Sequence, residues 1–278
     1  MDGTTLKLIA LVLMTIDHIG ELIPGTPIVC NYIGRLSASI FFFCAVQGYL
    51  HTRSKKQYLV RLYLCAQLMT VIDILLPLLM HACGKTESFS VISNNVFLEI
   101  FGMLFLIDLL ERVPKKCWSR TLVMIGYFAW QFLVSSLTNQ IWNGTSEIPL
   151  TIVRSLAGVF CDRGLYVDLV ILIFYLFRGS RKKQALAYGL WCGLYIIYFV
   201  LCIPGRWNHL IEPVLGLHFY RFGTLYSRAF ETDYQWMMVF SLPLYLLYNG
   251  KRGKGLKKLF YVYYPAHIAL LYIIGCLL

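Results

Sequence analysis

The sequence predicts an all-α polytopic membrane protein, with about nine transmembrane helices (roughly eight to ten for this length) in one bundle. Three observations carry that prediction. Of the 278 residues, 58% are hydrophobic, mean hydropathy is +0.65 and only 14% are charged, against roughly 25% in soluble domains. Apolar runs near the ~20 residues that a bilayer needs recur along the chain. The Lys and Arg residues, which give a formal net charge of +11, fall in short clusters at alternate connections, as the positive-inside rule requires. That placement explains the basic balance through the lipid bilayer and leaves no role for nucleic acid.

The runs follow in order. The first, about 6–23, lacks a small-residue cleavage site and reads as a mature helix, not a signal peptide. The second, about 35–50, opens at Gly34-Arg35 and carries Gln47-Gly48, a pair that permits close helix approach. The third, 58–80, places Gln67, Thr70 and Asp73 at i, i+3 and i+6. The fourth, 93–111, sets Asn95 and Glu99 one turn apart, and Asp108 and Arg112 at ion-pair spacing. The fifth covers 121–140. The sixth, 150–178, is too long for one span and is broken at Cys161-Asp162-Arg163-Gly164, with Arg154 and Asp168 on either side. The seventh, eighth and ninth cover 184–203, 234–248 and 259–277.

Basic clusters follow the second run (Arg53, Lys55, Lys56), the fourth (Arg112, Lys115, Lys116, Arg120), the sixth (Arg178, Arg181, Lys182, Lys183) and the eighth (Lys251, Arg252, Lys254, Lys257, Lys258). The loops 24–34, 81–92 and 141–149 are poor in them. The alternation predicts a cytoplasmic N-terminus and an external C-terminus. It also predicts a single transmembrane domain over 1–278 in a plasma or bacterial inner membrane. The one long connection, 204–233, is external and is a candidate lid over an acceptor. It holds Arg206 and His209 as candidate acceptor contacts, with Trp207 and His218 nearby. The nine cysteines are scattered without a C-x-x-C pair and read as small packing residues. No His/Cys spacing calls for a metal, and there is no Walker loop, G-x-S-x-G elbow or H-E-x-x-H.

The first run, TLKLIALVLMTIDHIGELI (4–22), carries ionisable groups that hydrocarbon penalises. Lys7 and His18 are eleven residues apart, three helical turns, so they share one face about 16 Å apart along the axis. An anionic head at Lys7 with a reactive end at His18 describes acyl-coenzyme A. Taken singly, Lys7 is also a snorkelling anchor and His18 a helix–helix hydrogen bond; their shared face favours function. Asp17 points about 100° away from His18, so its expected partner lies on another helix. Asp73, Asn95 and Glu99 fall near the depth of His18 and are candidate substrate contacts. Tyr264 and His267 share a face of the last run.

LKLIALVLMTIDHIG (6–20), IGR (33–35) and FFFCAVQGYLHTRSKKQYLVRL (41–62) resemble the N-terminal signature of TraX-family membrane proteins. LLYNGKRG (246–253) and FYVYYPAHIALLYII (260–274) agree at the other end. The resemblance implies an integral-membrane acetyltransferase, with F-pilin acetylation as the founding activity. Lys7-x10-His18 also resembles the basic-x10-His pattern of the wider membrane acyltransferase superfamily, which implies a catalytic role for His18 and a donor-associated role for Lys7. The matched motifs draw in Asp17, Arg35, His51, Arg53, Tyr248, Asn249, Arg252 and His267. This chain has Gln47 where the family pattern favours glutamate or another small polar residue.

The expectation is therefore acetyl transfer from cytoplasmic acetyl-CoA, as co-substrate, to an amine or hydroxyl of an acceptor reached from the membrane or outer face. His18, with Asp17, Arg35 and His267, forms the expected catalytic set. Lys7, His51, Arg53, Tyr248, Asn249, Lys251 and Arg252 form the expected donor site. The alternative is a proton-coupled transporter that uses the buried Asp, Glu and His groups; the absence of a paired repeat in the sequence weighs against it.

Overall fold

The computed structural model describes residues 1–142, 147–159, 165–197, 227–232 and 234–278; their regular structure is helical, with no β-strand among them. The helices are α1 (Gly3–Leu22), α2 (Val29–Leu50), α3 (Lys55–Ala82), α4 (Val96–Arg112), α5 (Cys117–Trp142), α6 (Glu147–Leu156), α7 (Leu165–Leu176), α8 (Arg181–Tyr195), α9 (Leu242–Leu247) and α10 (Lys257–Leu277). A π-helical turn, Ser227–Thr232, and a 3-10 helix, Tyr234–Ser241, precede α9.

Each apolar run therefore meets a helix, but the span count does not carry over directly. Among the described residues four helices are long and apolar enough to cross a membrane: Val29–Leu50, Lys55–Ala82, Cys117–Ile141 and Leu259–Leu277; Leu165–Leu176 is apolar but shorter. Several boundaries differ from the sequence reading. Helix α2 starts at Val29, so Gly34 and Arg35 lie in its second turn instead of at its mouth. The eighth run is a 3-10 helix that becomes α-helix only at Leu242, next to Pro243, whose missing N–H is tolerated only in a first turn. Part of the expected loop 204–233 is the turn at Ser227–Thr232. The break at 161–164, and Arg206 and His209, lie outside the described residues.

The chain forms two compact units, Met1–Gln47 with Leu169–Leu278, and Gly48–Asp168. In the first, α1 packs on α10, and α8 packs on α9 and the 3-10 helix. Glycines make the α1 contacts close. A Cβ on Gly34 would overlap the Asp17 side chain, and one on Gly275 would overlap the Leu22 carbonyl. An aromatic cluster of Phe43, Phe174, Tyr188 and Tyr245, with ring centroids 5.1–5.4 Å apart, surrounds the buried Ser241 hydroxyl. That hydroxyl bonds Ser39, Tyr188 and Tyr245 at 3.0, 3.1 and 2.6 Å.

In the second unit α3 packs on α4 and α6, and α5 on α4 and α6. Pro77 inside α3 cannot donate to the Asp73 carbonyl four residues back. The backbone N–H of Ile92 takes that place at 3.1 Å.

Candidate catalytic site

In the first unit α1 and α10 bring two buried histidines together. His18 Nδ1 lies 2.7 Å from His267 Nε2, with ring planes 22° apart. His267 Nδ1 lies 2.8 Å from the Tyr263 carbonyl oxygen. A carbonyl only accepts, so the proton of His267 is on Nδ1. With both rings neutral, His267 Nε2 is then the acceptor, and His18 Nδ1 carries the shared proton. That leaves the lone pair of His18 on Nε2, so the chain of bonds fixes the tautomer of a buried base. The Tyr264 ring meets both imidazoles edge-on. The Tyr263 hydroxyl bonds Thr15 at 2.9 Å, fastening α10 to α1 at the same level.

Asp17 takes the partner on another helix that its phase requires. Arg35 Nη2 reaches its Oδ1 at 2.8 Å, with side chains only 18% and 5% exposed. Arg35 also donates to Gln235 at 3.3 Å and lies 5.4 Å from the Tyr234 ring centroid, so it links α1 and α2 to the 3-10 helix. Asp17 and Arg35 thus hold the helix that carries His18, while His267 bonds His18 directly.

At the other end of α1 the segment after α9 wraps the first turn. Gly3 N–H donates to Lys251 O and Asn249 N–H to Met1 O, each at 2.8 Å. The Thr4 hydroxyl lies 3.1 and 2.6 Å from the Arg252 and Lys254 carbonyls. Lys7 sits 5.7 Å from the Phe260 ring centroid, and Arg181 donates to the Tyr248 carbonyl. This gathers Lys7, Tyr248, Asn249, Lys251 and Arg252 from the expected donor site. Asp2 already caps the helix: bonds from the Thr5 N–H and hydroxyl hold its carboxyl below the ordinary carboxylate range. An anion here therefore meets side chains and not the helix terminus.

The remaining candidates belong to the second unit. His51 and Arg53 are exposed. Asp108 pairs with Arg112 at 2.6 Å as its spacing predicts, and Lys55 pairs with Glu111. Asp73 and Glu99 are buried, at 2% and 0% exposure. Asn95 has structural work: it caps α4 through Leu98 N–H and donates to Ala66 O and Thr70 Oγ1. Sequence reasoning missed Tyr263, Gln235 and Tyr234. The first was within reach, since Tyr263 stands four residues before His267 on one helix face. Gln235 and Tyr234 bear no such relation to Arg35, from which they are about two hundred residues distant.

Fold and site define a class: an all-helical membrane protein with a paired-histidine centre among its helices. A family model described as TraX protein matches residues 2–145, just over half the chain, and the chain belongs to the TraX family. Over 272 residues it is 24% identical to the probable fimbrial assembly protein FimC, serogroup H1, of Dichelobacter nodosus, an alignment covering 96% of this chain and 92% of that protein. No solved structure matches the chain.

Proposed function

We propose that this chain is an integral-membrane acetyltransferase that moves an acetyl group from acetyl-CoA to an amine or hydroxyl acceptor. The observation that carries the reading is the bond chain from the Tyr263 carbonyl through His267 to His18, which sets His18 Nε2 up as a general base. The family's association with pilin acetylation and the relative's name in fimbrial assembly point the same way. They favour a subunit of a surface fibre as acceptor, reached from the membrane or outer face.

In the proposed reaction, His18 Nε2 takes the proton of the acceptor N–H or O–H as its nitrogen or oxygen attacks the thioester carbonyl. The C–S bond breaks, and coenzyme A leaves as the thiolate, which the imidazolium reprotonates. The bond from His18 Nδ1 to His267 spreads the transient positive charge. Lys7, Lys251 and Arg252 suit the donor's phosphates as point charges and a guanidinium fork, and the ~16 Å from Lys7 to His18 leaves room for an extended pantetheine arm. His51 and Arg53 belong to the proposed donor set by motif alone.

The rival reading, a proton-coupled transporter, draws on the buried Asp73, Glu99 and Asp168, the first two of which are also candidate substrate contacts in acetyl transfer. Acetyl-CoA added to the purified protein separates the two. A donor site raises the unfolding temperature by mass action, and labelled acetyl then appears on an added amine. No stabilisation and no transfer would overturn the acetyltransferase reading.

A further inference from the structure

The second unit holds a groove of about 630 Å³ that the acetyl-transfer reading does not use, a volume within the ~300–1,000 Å³ of ligand pockets. Its wall is almost wholly apolar: Phe101 and Phe105 on α4, Trp130 on α5, Tyr63 on α3 and the end of α6. It runs along α4 from Arg112 to Phe101, eleven residues or about 16 Å. That is about half of the ~30 Å hydrocarbon layer, the depth of one leaflet.

Three further features identify the occupant. The carbonyls of Leu156, Ala157 and Gly158, left over where α6 ends, are each capped by a groove side chain. Tyr63 Oη, Trp130 Nε1 and Gln131 Nε2 donate to them at 2.9, 3.2 and 3.1 Å. A water-filled groove would satisfy such carbonyls itself, whereas a hydrocarbon-filled one requires them to be covered. At the mouth, Arg112 is 64% exposed and meets Asp108 through Nε alone among the described residues, and Lys115 and Lys116 follow, both exposed. Trp118, 64% exposed at the start of α5, marks the level of the headgroups, where tryptophan concentrates.

We infer that this groove is a binding site for a membrane phospholipid with an anionic headgroup. One acyl chain fills the slot, and the phosphate sits against Arg112 and the Lys115–Lys116 turn. The inference stands independently of acetyl transfer.

Delipidated full-length protein in detergent, titrated with dioleoylphosphatidylglycerol or dioleoylphosphatidylcholine and read by native mass spectrometry, tests it. One equivalent of the anionic lipid is expected to bind about tenfold more tightly than the zwitterionic one, the effect of one charge-assisted bond. Gly126 lines the groove, and a Cβ there would meet only open space. Gly126→Phe should therefore abolish the tight equivalent and leave lipid-free unfolding unchanged. Arg112→Gln should keep the slot and remove the preference. Gly126→Phe keeps the test decisive should loss of the Asp108 partner unfold the latter variant. Equal titration by the two lipids, retention of the tight equivalent in Gly126→Phe, or equally strong competition by free glycerol phosphate would each overturn the site.

Discussion

Two sets of polar side chains stand in apolar helices here, and they end differently. In the Gly48–Asp168 unit, Gln67, Thr70, Asn95 and Ser155 close on one another and on carbonyls of α3 and α6, with bonds of 2.7–3.1 Å. Each donor finds an acceptor within the set. In the other unit the chain runs from a carbonyl through two imidazoles, and its tautomers put the lone pair of His18 on Nε2. Both arrangements meet the rule that buried polar groups find partners. Only the second contains imidazoles, whose nitrogens can both donate and accept a proton. The presence of polar residues in a span therefore says little, and the chemistry of the groups in their network says what they can do.

That contrast can be broken by substitution. The largest expected effect is on His18. His18→Ala should lower acetyl transfer by about 10²–10⁴-fold, the range for a general base, in protein that still folds. Turnover of purified variant at the wild-type rate would remove His18 from the chemistry. His267→Gln, which cannot repeat the imidazole relay, should cost about tenfold and flatten the pH–rate profile on its acidic side.

The Asp17–Arg35 pair should behave as a support. Asp17→Asn or Arg35→Leu should each destabilise by about 3 kcal/mol, because either leaves a poorly solvated charge. The double variant should recover part of that loss in a thermal-unfolding cycle, and additive losses would deny the coupling. Asn95→Ala, within the closed set, should cost about 2 kcal/mol through the lost cap and bonds. Activity per folded molecule should stay constant; a specific loss would move Asn95 into the site.

The smallest effect concerns pH. The folded-state carboxyl of Asp2 is depressed, so its contribution is present above the ordinary carboxylate range and fades as pH falls through the folded value. Wild type should show slightly more acid sensitivity in unfolding than Asp2→Asn, whose side chain caps without titrating.

Much of this was legible in residue order. Apolar runs located the helices because burial and hydrocarbon both demand them. Helical phase set Asp17 apart from His18 and joined Asp108 to Arg112, since those relations depend only on 3.6 residues per turn. What stayed hidden depends on contacts between distant segments. Phase could not say that Arg35 faces Asp17 or that His267 meets His18, and it could not show that Asn95 serves as a cap. Nor does hydropathy distinguish the 3-10 stretch before α9 from an α-helical span.

The clasp around α1 sets an order of events during synthesis. Thr4 and His18 find partners 250 and 249 residues later, and Arg35 reaches Gln235 across 200. Helix α1 is made first, yet Thr4 and His18 can meet these partners only when nearly the whole chain has left the ribosome. Until then Lys7 and His18 must wait among lipids, water or assembly factors, whereas Asp17 has Arg35 on the next helix. A chain cut short before α10 would thus keep its first helix and lack the imidazole that orients His18.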